Sequence, residues 1–163
     1  MNHFPNSNEE INLIKFISRY QYLNVNDTSH FFSSKKYYKQ RISNLIKKRF
    51  IKRIQHNLVL DKLGIEYVKM FEFEYNKLNR NKAYLPRLLY LSNLGAFYNN
   101  CKTLKFTPSF DIKNKEIFTI TARKFIGILN IRNIEYLAYY ITKEHDEKYI
   151  KSVIYDIQKE RKY

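Results

Sequence analysis

The hydrophobic periodicity of the first seventy residues most strongly constrains the fold. Apolar residues recur every three or four positions over residues 9–21, which predicts an amphipathic helix. Ser7 followed by Glu10 has the spacing of a capping box, which marks the start of that helix. Residues 27–32 predict a short second helix, and residues 35–49, preceded by two serines, predict a third. The N-terminal region is therefore expected to begin with three helical segments.

The periodicity then changes to that of strands. Residues 50–55 are rich in β-branched and aromatic side chains, and residues 58–60 form a second apolar run. His56 and Asn57 between them predict a two-residue turn, hence a β-hairpin. Asp61 is suited to cap a further helix. Helix, short helix, helix and hairpin is the order of a winged helix-turn-helix.

The predicted third helix has two chemically different faces. Its core stripe, at 100° per residue, consists of Tyr38, Ile42, Leu45 and Ile46. The opposite face presents cations, amides and a hydroxyl, which hydrogen-bond base edges and phosphates: Lys36, Gln40, Ser43, Asn44 and Lys47. Tyr37 and Arg41 flank this face. Among these residues Gln40 and Asn44 are the best candidates for reading adenine, because side-chain amides match its major-groove edge.

The charge distribution favours a polyanionic partner. The chain has 30 Lys and Arg against 15 Asp and Glu, a net charge of +15. Residues 28–60 contain nine of the cations and no acid. Arg41, Lys48, Lys52 and Arg53 are predicted phosphate contacts, and His56 a contact at the hairpin tip. The predicted DNA-binding residues are Lys35, Lys36, Tyr37, Lys39, Gln40, Arg41, Ser43, Asn44, Lys47, Lys48, Lys52, Arg53 and His56. The plainer alternatives are a solvated polar face or a protein-docking module.

The second half predicts a small α+β domain. Residues 72–83 are polar and predict a helix end followed by a linker, with a domain boundary near residue 80. After a helix at 85–98, strands are predicted at 102–110, 116–121, 124–131 and 134–141, followed by a closing helix after residue 146. Arg132 and Asn133 predict a tight turn. The predicted fold class is thus α+β: a winged helix-turn-helix in residues 1–80, then an antiparallel-sheet domain in residues 81–163 for dimerisation or partner docking.

A family resemblance accompanies these patterns. The segments "LIKFISRYQYLNVNDTSHFF" and "YYKQRISNLIKKRFIKRIQHNLVLDKLGIEYV" lie within residues 9–72. They resemble the winged-helix region of replication-relaxation and relaxosome-accessory proteins from plasmids, phages and integrative elements. The resemblance implies DNA binding at a replication, mobilisation or operator site, with a replication or relaxosome protein as a partner. The sequence departs from the family at Asp61, where such proteins often carry Thr.

An enzymatic alternative comes from the same resemblance. Such proteins often carry a nuclease-like domain, to which "PRLLYLSNLGAFYNN" and "FTPSFDIKNKEIF" are weakly similar. A PD-(D/E)xK nuclease needs Glu-x-Lys after its first carboxylate, so that carboxylates hold Mg²⁺ and Lys polarises water. Asp111 would supply the first carboxylate, but neither Glu116 nor Glu135 has Lys two residues on. We therefore expect no enzyme, no catalytic residue, no metal and no cofactor, with an Mg²⁺-dependent nuclease bearing a degenerate site as the rival.

The remaining expectations concern partners and compartment. Cys101 is the single cysteine, so no disulfide forms within the chain and a reducing cytoplasm is expected. No signal peptide or membrane-spanning segment is predicted. The expected function is sequence-specific binding of double-stranded DNA by a homodimer, as a plasmid or phage replication, mobilisation or regulatory factor. The alternatives are a repressor of its own operon and an RNA-binding or protein-docking module.

Overall fold

The chain has an α+β fold made of two compact units. The computed structural model describes residues 4–82, 85–99, 104–112, 125–140 and 147–160. Unit 1 comprises residues 1–100 and unit 2 residues 101–163. The predicted boundary near residue 80 therefore lies inside unit 1. Within the described residues, no helix combines the length and apolar character required to cross a membrane.

Unit 1 follows the predicted order of elements. Its three-stranded sheet is antiparallel, with strand order β1-β3-β2. The elements are α1 (Asn8–Tyr20), β1 (Leu23–Asn24), a 3₁₀ helix (Val25–Phe31), α2 (Tyr38–Lys47), β2 (Ile51–Ile54), β3 (Asn57–Leu60), α3 (Lys62–Met70) and α4 (Leu85–Asn99). The predicted first helix, short second helix, third helix and hairpin are all confirmed. The third predicted helix is α2.

The core of unit 1 lies under α1 and the sheet. Ser7 Oγ accepts a hydrogen bond from the Glu10 N–H at 3.3 Å, which confirms the predicted helix start. The apolar stripe of α1 is buried, and it packs with inward-facing residues of the other elements. The largest fully buried side chains of this core include Leu13, Ile14, Ile17, Leu23, Leu45, Ile51, Leu58, Val59 and Val68. Burial of this apolar stripe is the main force that fixes α1 on the sheet.

Helix α2 is shorter than predicted at both ends. Ser33 does not cap it, because the Ser33 N–H and hydroxyl both donate to Glu9 Oε1, at 2.8 and 2.7 Å. The helix ends in a Schellman motif, in which Arg49 has φ +60° and the Phe50 N–H donates to the Leu45 carbonyl. Lys35, Lys36 and Tyr37 therefore precede the helix. The predicted range of 35–49 was too long.

The hairpin turn lies one residue earlier than predicted. Ile54 pairs with Asn57, so the turn residues are Gln55 and His56 rather than His56 and Asn57. Gln55 takes the positive φ, +53°, that the tight turn requires. At the other end of the hairpin, α3 approaches so closely that a Cβ at Gly64 would overlap the Phe50 carbonyl oxygen. Gly64 therefore sets how closely α3 packs on the hairpin.

Part of the predicted linker, residues 74–79, is hydrogen-bonded to α1 and to the residues just after it, and we call this segment the strap. Ser18 Oγ donates to the Glu74 carbonyl at 2.6 Å, and the Asn76 side chain donates to the Arg19 carbonyl at 2.7 Å. Further along, the Tyr22 hydroxyl donates to the Asn79 carbonyl at 2.8 Å. Residues 74–79 thus belong to the packed body of unit 1.

Helix α4 also packs on unit 1, against α1, β1 and the 3₁₀ helix. Ser92 is buried and its hydroxyl donates to the Tyr22 carbonyl. Gly95 meets the Tyr20 ring, which leaves no room for a Cβ. This packing explains why the compact unit extends to residue 100 and does not end at residue 80.

Unit 2 contains the second antiparallel sheet, with strand order β4-β5-β6. Its elements are β4 (Leu104–Pro108), a short 3₁₀ helix (Ser109–Asp111), β5 (Phe125–Ile131), β6 (Ile134–Tyr139) and α5 (Glu147–Glu160). Arg132 and Asn133 form the predicted tight turn, with φ of +51° and +66°. Three of the four predicted strands and the closing helix are confirmed. The predicted strand at 116–121 lies outside the described residues.

Candidate nucleic-acid interface

The exposed side of α2 forms the candidate interface. Gln40, Ser43, Asn44 and Lys47, hereafter the outer face, are all exposed, while Ile42 and Leu45 anchor the other side in the core. Among the described residues, none of the four side chains makes a hydrogen bond or ion pair. Their amides, hydroxyl and ammonium are therefore open to a partner.

The turn before α2 and the first turn of the helix carry further predicted residues. Lys35, Lys36, Tyr37 and Lys39 are all exposed. The Tyr37 ring is 53% exposed, and Lys36 Nζ lies 5.5 Å from the ring centroid. An exposed aromatic ring beside a cation can stack on a sugar or base while the cation meets a phosphate. Four further predicted residues are therefore exposed at or near the start of α2.

The hairpin carries a second set of predicted residues. His56 lies exposed at the hairpin tip, and Arg53 is exposed with its Nε donating to the Gln55 carbonyl at 2.8 Å. Lys48, immediately after α2, is half-buried. Lys52 Nζ lies 3.4 Å from Asp61 Oδ1, so this cation already has an acidic neighbour. Arg53 and His56 are the hairpin residues best placed for an external contact.

Arg41 has a different environment from the outer face. Its guanidinium pairs with Glu9, approaches Glu10 Oε1 at 3.3 Å and donates to the Ser7 hydroxyl. It also lies 4.9 Å from the centroid of the Phe32 ring. These contacts commit Arg41 to holding α2 against the start of α1. The predicted phosphate contact by Arg41 stays a prediction, and a phosphate there would compete with these partners.

The carboxylates of α1 complete an inner polar cluster, defined as Ser7, Glu9, Glu10, Ser33 and Arg41. The Glu10 side chain is only 6% exposed, and its Oε2 accepts the Asn6 N–H at 2.6 Å. Hydrogen bonds from the Ser33 N–H and hydroxyl, together with Arg41, hold the pKa of Glu9 below its ordinary value. The ionised form of Glu9 is thus part of the folded arrangement.

Asp61 neutralises part of the positive charge of the hairpin. It lies 3.6 Å from Arg49 Nε as well as close to Lys52. Partial burial raises the pKa of Asp61, but the Lys62 N–H and the two cations outweigh it and lower the pKa overall. Asp61, the acid that ends the acid-free stretch, thus pairs with two of its cations.

The six other cations of the acid-free stretch remain without a carboxylate neighbour among the described residues. They are Lys35, Lys36, Lys39, Lys47, Lys48 and Arg53. Six cations without a carboxylate neighbour among the described residues therefore lie on or next to α2 and on the hairpin. The pairing of Arg41 with the acids of α1 was not predicted from the sequence. Glu9 and Glu10 in the first turn of α1 were the available signal for it.

The candidate nuclease residues form no assembled site in the described part of the chain. Glu135 is exposed on β6. Cys101 and Glu116 lie outside the described residues, as does the side chain of Asp111. No group of three His, Cys, Asp or Glu side chains able to hold a metal occurs in the described ranges.

Comparisons of this chain with protein-family models, with curated proteins and with solved structures yield no match. The resemblance of residues 9–72 to winged-helix proteins of mobile elements stays a prediction. The function of the outer face is therefore inferred from its own residues, contacts and charges.

Proposed function

We propose that this chain binds double-stranded DNA sequence-specifically, with residues 9–72 acting as a winged helix-turn-helix. In this proposal α2 is the recognition helix and enters the major groove. The β2–β3 hairpin is the wing, which meets the flanking backbone. Gln40 and Asn44 read adenine edges, and Lys47 and Ser43 contact neighbouring bases or phosphates.

The observation that carries the proposal is that the outer face of α2 is exposed and has unpaired cations near it in the chain. Four polar side chains there make no hydrogen bond or ion pair among the described residues, while Leu45 and Ile42 anchor the inner side of the helix. A rigid helix with unengaged amides and flanking lysines suits the major groove, because it offers donors and acceptors at fixed positions. A merely solvated helix face does not require the surrounding excess of unpaired cations.

The experiment is fluorescence anisotropy with duplex from the flanking region of the gene, and with scrambled duplex, over a salt series. The double variant Gln40→Ala plus Asn44→Ala should lose its preference for the flanking duplex. Each lost bidentate contact costs roughly five- to a hundredfold in discrimination. The salt slope should stay nearly unchanged, because neither amide neutralises a phosphate.

The matched control is Asn99→Ala plus Gln158→Ala, which removes two exposed amides outside α2. This variant should keep the sequence preference of the unmodified protein. Equal weak binding of both duplexes by every variant would overturn the proposal. Binding that favours RNA over duplex DNA would move the chain to the RNA-binding alternative.

We also propose a homodimer, because several apolar side chains of unit 2 are exposed. Ile134 is 56% exposed, Leu137 41% and Ile154 47%. A pair of chains would place two copies of α2 on half-sites about one helical turn apart. Light scattering should give twice the mass of 19.9 kDa, and a palindromic site should bind more tightly than a half-site.

The biological setting we favour is replication or mobilisation of a plasmid or phage. The same binding chemistry serves a repressor of the chain's own operon. Mapping of bound DNA separates the two: sites at a replication or transfer origin support the first, and sites confined to the chain's own promoter support the second.

A further inference from the structure

Unit 1 contains a cavity that is lined by none of the outer-face residues. It has a volume of about 360 Å³, within the range of small-molecule sites. Ile17 of α1, Leu60 of β3 and Ile65 of α3 form its apolar walls. The cavity is therefore bounded by three elements of the packed core.

The strap supplies the remaining wall. Lys77 and Leu78 line the cavity, and they lie between two anchored residues. The Asn76 N–H donates to the Ser18 carbonyl at 2.8 Å, and the Asn79 N–H donates to Gln21 Oε1 at 2.8 Å. Because the strap is fixed on either side of these two residues, the wall exists before any ligand binds. Preformed walls reduce the entropy that binding costs.

The polar lining of the cavity is positively charged. Lys52, Lys77 and Arg80 all line it, and none of its lining residues is acidic. Lys77 and Arg80 are exposed, and neither has an ion-pair partner among the described residues. Asp61, near Lys52, lies outside the lining. An apolar interior beside unpaired cations matches a molecule with an apolar body and one anionic group.

We propose that this cavity binds a small amphipathic anion, a carboxylate carried on an apolar chain or ring. The apolar body lies against Ile17, Leu60 and Ile65, and the anionic group faces Lys77 and Arg80. Lys77 and Arg80 do not belong to the outer face, whereas Lys52, which also lines the cavity, lies on the proposed wing.

The experiment is an NMR titration of the full chain, following backbone amide shifts. Three probes separate the apolar contribution to binding from the contribution of charge. Decanoate has both an apolar chain and a charge, decanol has a similar chain without the charge, and acetate has the charge without the chain. Decanoate should shift the amides of Gln21 and of residues 76–80. It should bind roughly tenfold more tightly than decanol, because the cations are partly exposed. Acetate should cause no localised shifts.

Two variants test the site directly. Lys77→Ala plus Arg80→Ala should weaken decanoate binding roughly tenfold. The matched control, Lys35→Ala plus Lys36→Ala, removes two exposed cations elsewhere and should keep the original affinity. Leu78→Trp fills the cavity and should abolish the localised shifts, with the unperturbed spectrum of the other residues verifying the fold. Equal decanoate affinity in the two double variants, or shifts spread over other surfaces, would overturn the proposal.

Discussion

The two sides of α2 carry similar polar chemistry but meet opposite environments. On one side Arg41 is enclosed by Ser7, Glu9 and Glu10 of the inner polar cluster. On the other side the outer face is exposed and makes no hydrogen bond or ion pair among the described residues. The difference teaches that a cation on a helix is assigned to structure or to binding by partners distant in the chain. Glu10 lies 31 residues before Arg41, beyond the reach of any local pattern.

The largest effect is expected from breaking the inner polar cluster. Arg41→Met leaves the buried Glu10 carboxylate without its cation, so the free energy of unfolding should fall by about 2 kcal/mol. Urea denaturation measures this loss. Lys47→Met on the outer face is the matched control and should change stability by less than about 0.5 kcal/mol. Equal losses of unfolding free energy in the two variants would show that Arg41 contributes no more to stability than Lys47 does.

A double-mutant cycle sharpens the assignment of Arg41. The pair Arg41→Ala and Glu10→Ala should have a coupling energy of about 1 kcal/mol, because each variant removes the same interaction. The cycle uses urea denaturation of the two single variants and the double variant. Lys47 with Glu10 is the reference cycle and should be additive. Additivity in the Arg41 cycle as well would show that the inner polar cluster contributes no specific pairing.

Local patterns in the sequence predicted most of the elements. The periodic apolar residues of α1 and the change to strand residues after Phe50 were sufficient, since each element is encoded by side chains within a few positions. The Arg132–Asn133 turn was predictable for the same reason, because both residues lie in the turn itself. The positions of the exposed α2 residues followed from helical geometry once the core stripe was known.

Features that depend on distant partners were not predictable. The start of α2 was misplaced because Ser33 bonds to Glu9, 24 residues earlier. The strap was predicted as a linker because Asn76 and Asn79 find their partners on and just after α1. Helix α4 was assigned to the second domain because the polar residues 72–83 before it predicted a linker. Lys77 and Arg80 were not predicted as cavity residues, because they belong to the segment that was predicted as a linker.

Acid should weaken the inner polar cluster. The folded-state pKa of Glu9 lies below its ordinary value of 4.5, so its stabilisation is complete above pH 4.5. It is lost as the pH falls from 4.5 through the lower folded-state pKa. The urea midpoint should therefore decrease as the pH falls below about 5, and Glu9→Gln should reduce that decrease. Glu66→Gln, at an exposed carboxylate of α3, is the control and should keep the original pH dependence.

The smallest expected effect tests the outer face without disturbing the fold. Lys47→Ala should leave the urea midpoint nearly unchanged, because the side chain is exposed and has no partner among the described residues. If Lys47 neutralises one phosphate, the slope of log affinity against log salt should become less steep by about 0.9. Glu66→Ala is the stability control, and Arg41→Lys, which retains a cation toward α1, should keep the original slope. A Lys47→Ala slope identical to that of the unmodified protein would place the phosphate contacts on other cations of α2 and the hairpin.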